Sequence, residues 1–234
     1  MKIGVTLPQF RDEGESAIAA ARRAEEAGLD GVFVFDHLWP MGSPDRPIIS
    51  ALPLLGALVA ETESIHLGSL VMRVGLVPDP VLIEQLVALA GMSGGRTIAG
   101  LGTGDHMSAA ENLAFGVPYP PAADRRASLE ACASALLAQG VPVWIGAGAG
   151  VRPATRALAV RTGAVLNVWH EEGMPTLDPD DEVEQTWAGP LKGSAGELAA
   201  QLARLRDAGA SWAVCAWPGS LEDVAEAAAV VRRG

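Results

Sequence analysis

The stretch GGRTIAGLGTGD, residues 94–105, carries a glycine at every second position from Gly100 to Gly104. In a doubly wound dinucleotide fold, a GxGxxG fingerprint follows the first strand, a helix opens at once, and an acidic residue stands about 20 positions on. Here the first strand ends in TLPQFRDEG and the glycine run is fourth in order. Its spacing is GxGxG, and the DHMSAAENLAFG that follows does not open on a strongly amphipathic helix. The dinucleotide reading therefore recedes. In a barrel, glycines at the carboxyl end of a strand leave bare backbone, against which a flat ligand can lie. Tight packing inside the barrel is the plainer alternative.

Outward from this run the chain alternates. KIGVTLP reads as a strand, and ESAIAAARRAEEAG as a helix with Ile18, Ala21, Ala24 and Ala27 on one face before Gly28. GVFVFDH and IHLGSLVMR read as strands around a helix in RPIISALPLLGALVAET. DPVLIEQLVALAGMS is a helix with Asp79 at its N-cap and Pro80 at its first position, leading into the strand RTIAGLGTG. After an irregular piece come PPAADRRASLEACASALLAQG (helix), VPVWIGAG (strand), RPATRALAVRTG (helix) and AVLNVW (strand). DEVEQTWAG reads as a seventh strand with no helix before it, followed by a helix, the strand WAVCAWP and a last helix. About eight strands and seven helices of this kind close most simply into a (β/α)8 barrel, a single domain over 1–234 reduced around its sixth helix. The doubly wound sheet is the runner-up.

Composition agrees with one large core: 234 residues, 49% apolar against 19% charged. No apolar run is long enough and free enough of polar breaks to cross a membrane. The start goes straight into a strand without a signal region, so a cytoplasmic protein is expected. Cys132 and Cys215 fit reduced, buried thiols. A net charge of -11 makes nucleic acid and anionic membrane poor partners, which leaves a small molecule.

In a barrel the chemistry lies at the carboxyl ends of the strands. The second strand delivers Asp36 and His37, a candidate acid/base pair, although neighbours on a strand face opposite ways and a simple cap is the alternative. Trp39 and Met41 follow as a possible apolar wall. The third strand brings Ser69 and Arg73, and the fourth brings Thr103, Gly104, Asp105 and His106, then Glu111 and Asn112. Gly146, Gly148 and Gly150 precede a helix carrying Arg152 and Arg156, and bare amides there with nearby cations suit a phosphate. A small-residue turn is the alternative. His66 reads as structural and His170 stays open. With no HExxH or CxxC spacing, zinc is not expected.

These residues resemble the luciferase-like flavin- and deazaflavin-dependent oxidoreductases. The resemblance rests on AEEAGLDGVFVFDHLW, on HLGSLVMRVGLVPDPVLIEQLVALAGMSGGRTIAGLGTG, on PVWIGAGAGVRPATRALAVRTGAVLNVW and on GSAGELAAQLARLRDAGASWAVCAW. It implies a (β/α)8 barrel holding a deazaflavin (coenzyme F420) or FMN at its mouth, so that the glycines would admit a tricyclic ring. It also implies a non-prolyl cis peptide at Leu70–Val71 behind that ring, the cofactor phosphate near Gly146 to Gly150, and His37 close to the reacting face. Asp105 takes the place of a proton-donating carboxylate found in related sugar-phosphate dehydrogenases. Where those enzymes carry an aromatic residue this chain has Met41, and Trp39 is the candidate substitute. The resemblance implies an F420-dependent hydride transfer to or from a small organic substrate. An FMN-dependent monooxygenase and a non-catalytic flavin-binding barrel are the alternatives. A homodimer is expected from the resemblance and from the broad apolar surface of IISALPLLGALVA.

Overall fold

The computed structural model describes the whole chain except residues 11–15, 41–42, 47, 149, 172–176 and 178–181, and except the side chain of His106. Strands β1 (Lys2–Thr6), β2 (Gly31–Val34), β3 (His66–Ser69), β4 (Met72–Arg73), β5 (Thr97–Gly102), β6 (Val143–Gly148), β7 (Val165–Trp169), β8 (Gln185–Gly189) and β9 (Trp212–Cys215) are all parallel. β1 pairs with β2 and β9, and β3 pairs with both β2 and β5, so the sheet closes on itself. β3 and β4 are two pieces of one stave, which makes eight staves and a (β/α)8 barrel. Helices α1 (Ala17–Glu26), α2 (Ala51–Glu61), α3 (Asp79–Met92), α4 (His106–Ala114), α5 (Ala122–Ala138), α6 (Pro153–Thr162), α7 (Ala195–Asp207) and α8 (Leu221–Arg233) surround it.

The helices dock through small or branched apolar residues. α1 buries Ala17, Ala20, Ala21 and Ala24 and leaves Ala27 exposed, so its buried face is rotated from the expected one. Ser16 caps it by accepting from the Ala19 amide. α3 begins one residue earlier than expected, with Pro78 at the cap and Asp79 in its first turn. Inside the barrel, Phe33 stacks on Trp144 at 5.1 Å and meets the edge of Trp212 at 5.8 Å. Burying each such ring contributes on the order of 2–3 kcal/mol. With Ile98 and Val214 they form a dry plug distinct from the larger core between barrel and helices.

Two features depart from the sequence expectation. The piece after the glycine run is a helix, α4, where an irregular segment was expected. Asp105 and Ser108 form a reciprocal capping box at its start, and its buried residues include Glu111 and Asn112. A helix whose inner face is polar gives no apolar stripe to read. The third stave, expected as one continuous strand, is broken between Ser69 and Met72. Between β7 and β8 no helix occurs among the described residues.

Candidate active site

The break in the third stave explains the alternating glycines. Gly68 pairs with Ile98, but Met72 pairs with Leu101, so four steps on this stave oppose three on β5. The extra residue makes a bulge, and within it the Leu70–Val71 peptide is cis. A Cβ on Gly100 would run into the Ser69 carbonyl oxygen, and one on Gly102 into the Val71 side chain. A Cβ on Gly146 would sit 2.8 Å from Val71 Cγ1. The space these glycines leave is therefore filled by the protein's own bulge, which corrects the expectation that Gly146 and the glycine run open directly onto a ligand. Gly148 and Gly150 differ: a Cβ on either would meet nothing within 4 Å, and both are exposed.

Beyond β2 the chain is held open by Gln9, which is buried. Its Oε1 accepts from the Phe35 amide at 2.8 Å, and its Nε2 donates to the Phe35 and Ile49 carbonyls at 3.0 and 2.6 Å. Asp36 and His37 then part, as neighbours on an extended chain do, and the expected Asp36–His37 pair does not form. Asp36 Oδ2 accepts from the Arg73 amide at 2.9 Å. Burial, only partly offset by that bond and by the Arg73 charge, pushes the Asp36 carboxyl above its ordinary value. His37 Nδ1 lies 2.6 Å from Glu111 Oε1. Glu111 Oε2 accepts from the Leu38 amide at 3.0 Å and from an Arg73 guanidinium nitrogen at 2.9 Å. Arg73 also donates to the Ser108 carbonyl at 3.2 Å. Glu111 and Arg73 are 1% and 3% exposed, so this ion pair is shielded from solvent.

Around His37 lie half-buried rings. Phe10 stacks on Phe35 at 5.1 Å and meets His37 edge-on at 5.9 Å, while Phe35 meets Trp169 at 5.9 Å. Trp39 is on the outer lip against exposed Phe115, at 5.9 Å. Met41 lies outside the described residues. Thr103 and Gly104 follow the end of β5. Arg125 clasps the Thr103 carbonyl at 2.8 Å and lies 3.9 Å over Tyr119, whose hydroxyl donates to the Asp105 carbonyl at 2.6 Å. Gly104 has φ of +69°, and a Cβ there would crowd Arg73 and Ser108. Asp105 is exposed, and its Oδ1 accepts from Ser108 N and Oγ, both at 3.0 Å. Arg152 is the N-cap residue of α6, beside Gly148 and Gly150. Arg156 reaches Glu182 at 3.6 Å instead.

The residue that sequence reasoning passed over is Glu111, noted only as a neighbour of the glycine run. The carboxylate on the imidazole comes from 74 residues away, and its signal, a helix with a buried polar face, is weak in a single sequence. His170 is buried, and its Nε2 has no partner among the described residues. Both cysteines are buried thiols pushed up to about 12, chiefly by burial.

The fold is an all-parallel (β/α)8 barrel with a bulged third stave, and Asp36, His37, Arg73 and Glu111 meet at its carboxyl end. The chain belongs to the luciferase-like monooxygenase family, whose model matches residues 1–138. An F420-dependent glucose-6-phosphate dehydrogenase from Beutenbergia cavernae is 39% identical over 105 residues, which are 44% of this chain and 30% of that protein. The matched stretch thus spans less than a third of that relative's length. Among solved structures, an F420-dependent secondary alcohol dehydrogenase in complex with an F420-acetone adduct superposes with a TM-score of 0.78. That match covers 99% of both chains at 13% identity. The coenzyme F420 dependent tetrahydromethanopterin reductase from Methanopyrus kandleri gives a TM-score of 0.67 at 14% identity over 97% of each chain. At these identities the solved structures speak to the fold.

Proposed function

We propose that the chain is an oxidoreductase that passes a hydride between a deazaflavin, coenzyme F420, and a small organic substrate. The observation that carries this reading is His37, anchored through one ring nitrogen just beyond β2, with the Phe10 ring edge-on at 5.9 Å and Phe35 and Trp169 continuing the row of rings from Phe10. These residues fit a flat tricyclic ring: Val71 is a half-buried apolar residue in the bulge of the third stave, and Gly148 and Gly150 leave open backbone with nothing within 4 Å of a Cβ position. Thr103 and Gly104 would border the ring. Gly148, Gly150 and the Arg152 start of α6 would hold the cofactor's phosphate. When bound, the deazaflavin supplies a carbon that accepts or gives hydride. His37 handles the proton or charge that accompanies the transfer, and Asp105, at the exposed start of α4, is a second proton carrier. Sequence similarity to proteins named as F420-dependent supports deazaflavin over FMN.

Fluorescence titration of the purified protein with F420 and with FMN tests this. Binding of F420 at micromolar or lower concentration is expected, and tight FMN binding with no F420 affinity overturns it.

For the substrate, the part of the lip where Trp39 and Phe115 pack together is apolar, and Leu113, two residues before Phe115, is 71% exposed. This supports a small alcohol or ketone over a sugar phosphate, and turnover with glucose 6-phosphate alone would reverse the choice. We also read the chain as a homodimer. Most of α2's apolar surface is covered within the chain, but Ile49, just before α2, and Val81 of α3 stay 54% and 44% exposed. A monomer at micromolar concentration by light scattering removes that reading.

A further inference from the structure

We infer that Glu111 is a positioning residue that fixes the tautomer of His37, keeping the proton on Nδ1 and leaving Nε2 as a bare acceptor. A carboxylate only accepts, so the 2.6 Å contact between Glu111 Oε1 and His37 Nδ1 requires Nδ1–H. In the neutral ring the lone pair then sits on Nε2. Nε2 has no hydrogen-bond partner among the described residues. The carboxylate cannot turn away, because its other oxygen is held by the Leu38 amide at 3.0 Å and the Arg73 guanidinium at 2.9 Å. Arg73 is itself fixed by the Ser108 carbonyl through its side chain and by Asp36 through its amide. The ring orientation thus depends on β4 and α4 as well as on the stave that carries His37, and the groups facing it are Glu111, Arg73, Asp36 and the Phe10 edge. The tautomer stands on this geometry alone; its effect on turnover rests on the oxidoreductase reading above.

The substitution Glu111→Gln makes the inference sharp. Two donors, Leu38 N and Arg73, converge on the Oε2 position, so the amide oxygen must lie there and the amide NH2 must point at Nδ1. Nδ1 then has to accept, and the proton moves to Nε2. The side chain keeps its shape while the tautomer inverts.

The test is nitrogen NMR of protein labelled at its four histidines, with His37→Asn identifying the His37 resonances. In the unaltered protein at mildly alkaline pH, Nδ1 should be protonated and Nε2 bare. In Glu111→Gln the pattern should reverse. Turnover with F420 should fall by about 10² to 10⁴, the loss expected when a general base is presented in the wrong tautomer, while F420 affinity changes by less than about threefold. An Nε2–H tautomer in the unaltered protein overturns the inference, without dependence on any variant folding. So does an unchanged tautomer in Glu111→Gln. Inversion accompanied by no hydride transfer in either protein supports the tautomer assignment and removes the oxidoreductase reading instead.

Discussion

The two ends of β2 carry the same kinds of residue and use them differently. At the amino end, Asp30 Oδ2 accepts from the Ile3 amide at 2.7 Å and from Arg232 at 2.6 Å. The Asp30 carbonyl takes His66 Nδ1 at 3.0 Å, and Lys2 Nζ lies 3.4 Å from His66 Nε2. Lys2 and His66 both rest on Trp212. Every polar atom of that histidine is answered. At the carboxyl end, Asp36, His37, Arg73 and Glu111 form an equally dense set, but it stops at His37 Nε2. A histidine closed on both sides is structural, whereas one closed on a single side is oriented and still able to act.

The largest expected effect comes from replacing His37, set against the same replacement of His66. His37→Ala should lower turnover by about 10² to 10⁴ and leave the fold intact, because a mouth residue carries little of the core. His66→Ala should leave turnover within about twofold and lower stability by about 1 kcal/mol. Parallel kinetics and denaturant melts check this, and an equal kinetic loss at His66 would break the contrast.

A second pair of variants tests what shapes the carboxyl end. Gly100→Ala sets a methyl against the Ser69 carbonyl and should destabilise by roughly 3 kcal/mol. Gly148→Ala, facing open space, should change stability by less than about 1 kcal/mol. If Gly148→Ala still weakens F420 binding tenfold or more in titration, the open glycines belong to the cofactor and the buried ones to the bulge. Equal melting shifts for the two would mean that the bulge is not what demands glycine.

This division marks what a single sequence makes legible. Alternation of apolar strands and helices carried the barrel, because strands buried on both faces read as apolar runs with a helix after nearly every one. The polar strand ends located His37, since side chains beyond a buried run have few other destinations. Family resemblance, and no feature of local spacing, located the cis step at Leu70–Val71. What stayed hidden were contacts between distant segments. The extra residue opposite β5 shows only once the staves are paired, so the choice between a ligand and tight packing for Gly100 and Gly102 could not be made from the sequence. Glu111 sits on a helix whose inner face is polar, and nothing local links it to His37.

Acid should act on the amino end in a defined direction. Burial, with a smaller contribution from Lys2, holds folded His66 below its ordinary 6.5 despite the Asp30 bond, and burial does the same to His170. The folded state therefore binds fewer protons than the unfolded chain below that value. Stability is complete above pH 6.5 and declines as the pH falls through the folded values. His66→Phe should flatten part of this decline in melts between about pH 7 and pH 5. An unchanged slope would show that His66 is not shielded as its contacts require.

The smallest effect concerns the two aspartates. Asp36 is the reverse case from His66: burial raises its carboxyl above the ordinary 3.8, so the folded state binds more protons than the unfolded chain above that value. Its favourable share is complete below 3.8 and is lost as the pH rises through the folded value. Burial thus favours the protonated form of the Asp36 carboxyl, with Glu111 acting in the same direction and Arg73 against it. Asp36→Asn keeps an oxygen for the Arg73 amide and removes the desolvated charge. We expect it to melt a few degrees higher at pH 7 and no higher near pH 4. Asp30→Asn, which only loosens a partly exposed pair with Arg232, should lower stability by less than about 1 kcal/mol. If Asp36→Asn melts lower at pH 7 but not at pH 4, the carboxylate is serving Arg73 as a countercharge that outweighs its burial. Arg73 would then be shared between two acids, and the grip of Glu111 on His37 would depend on both.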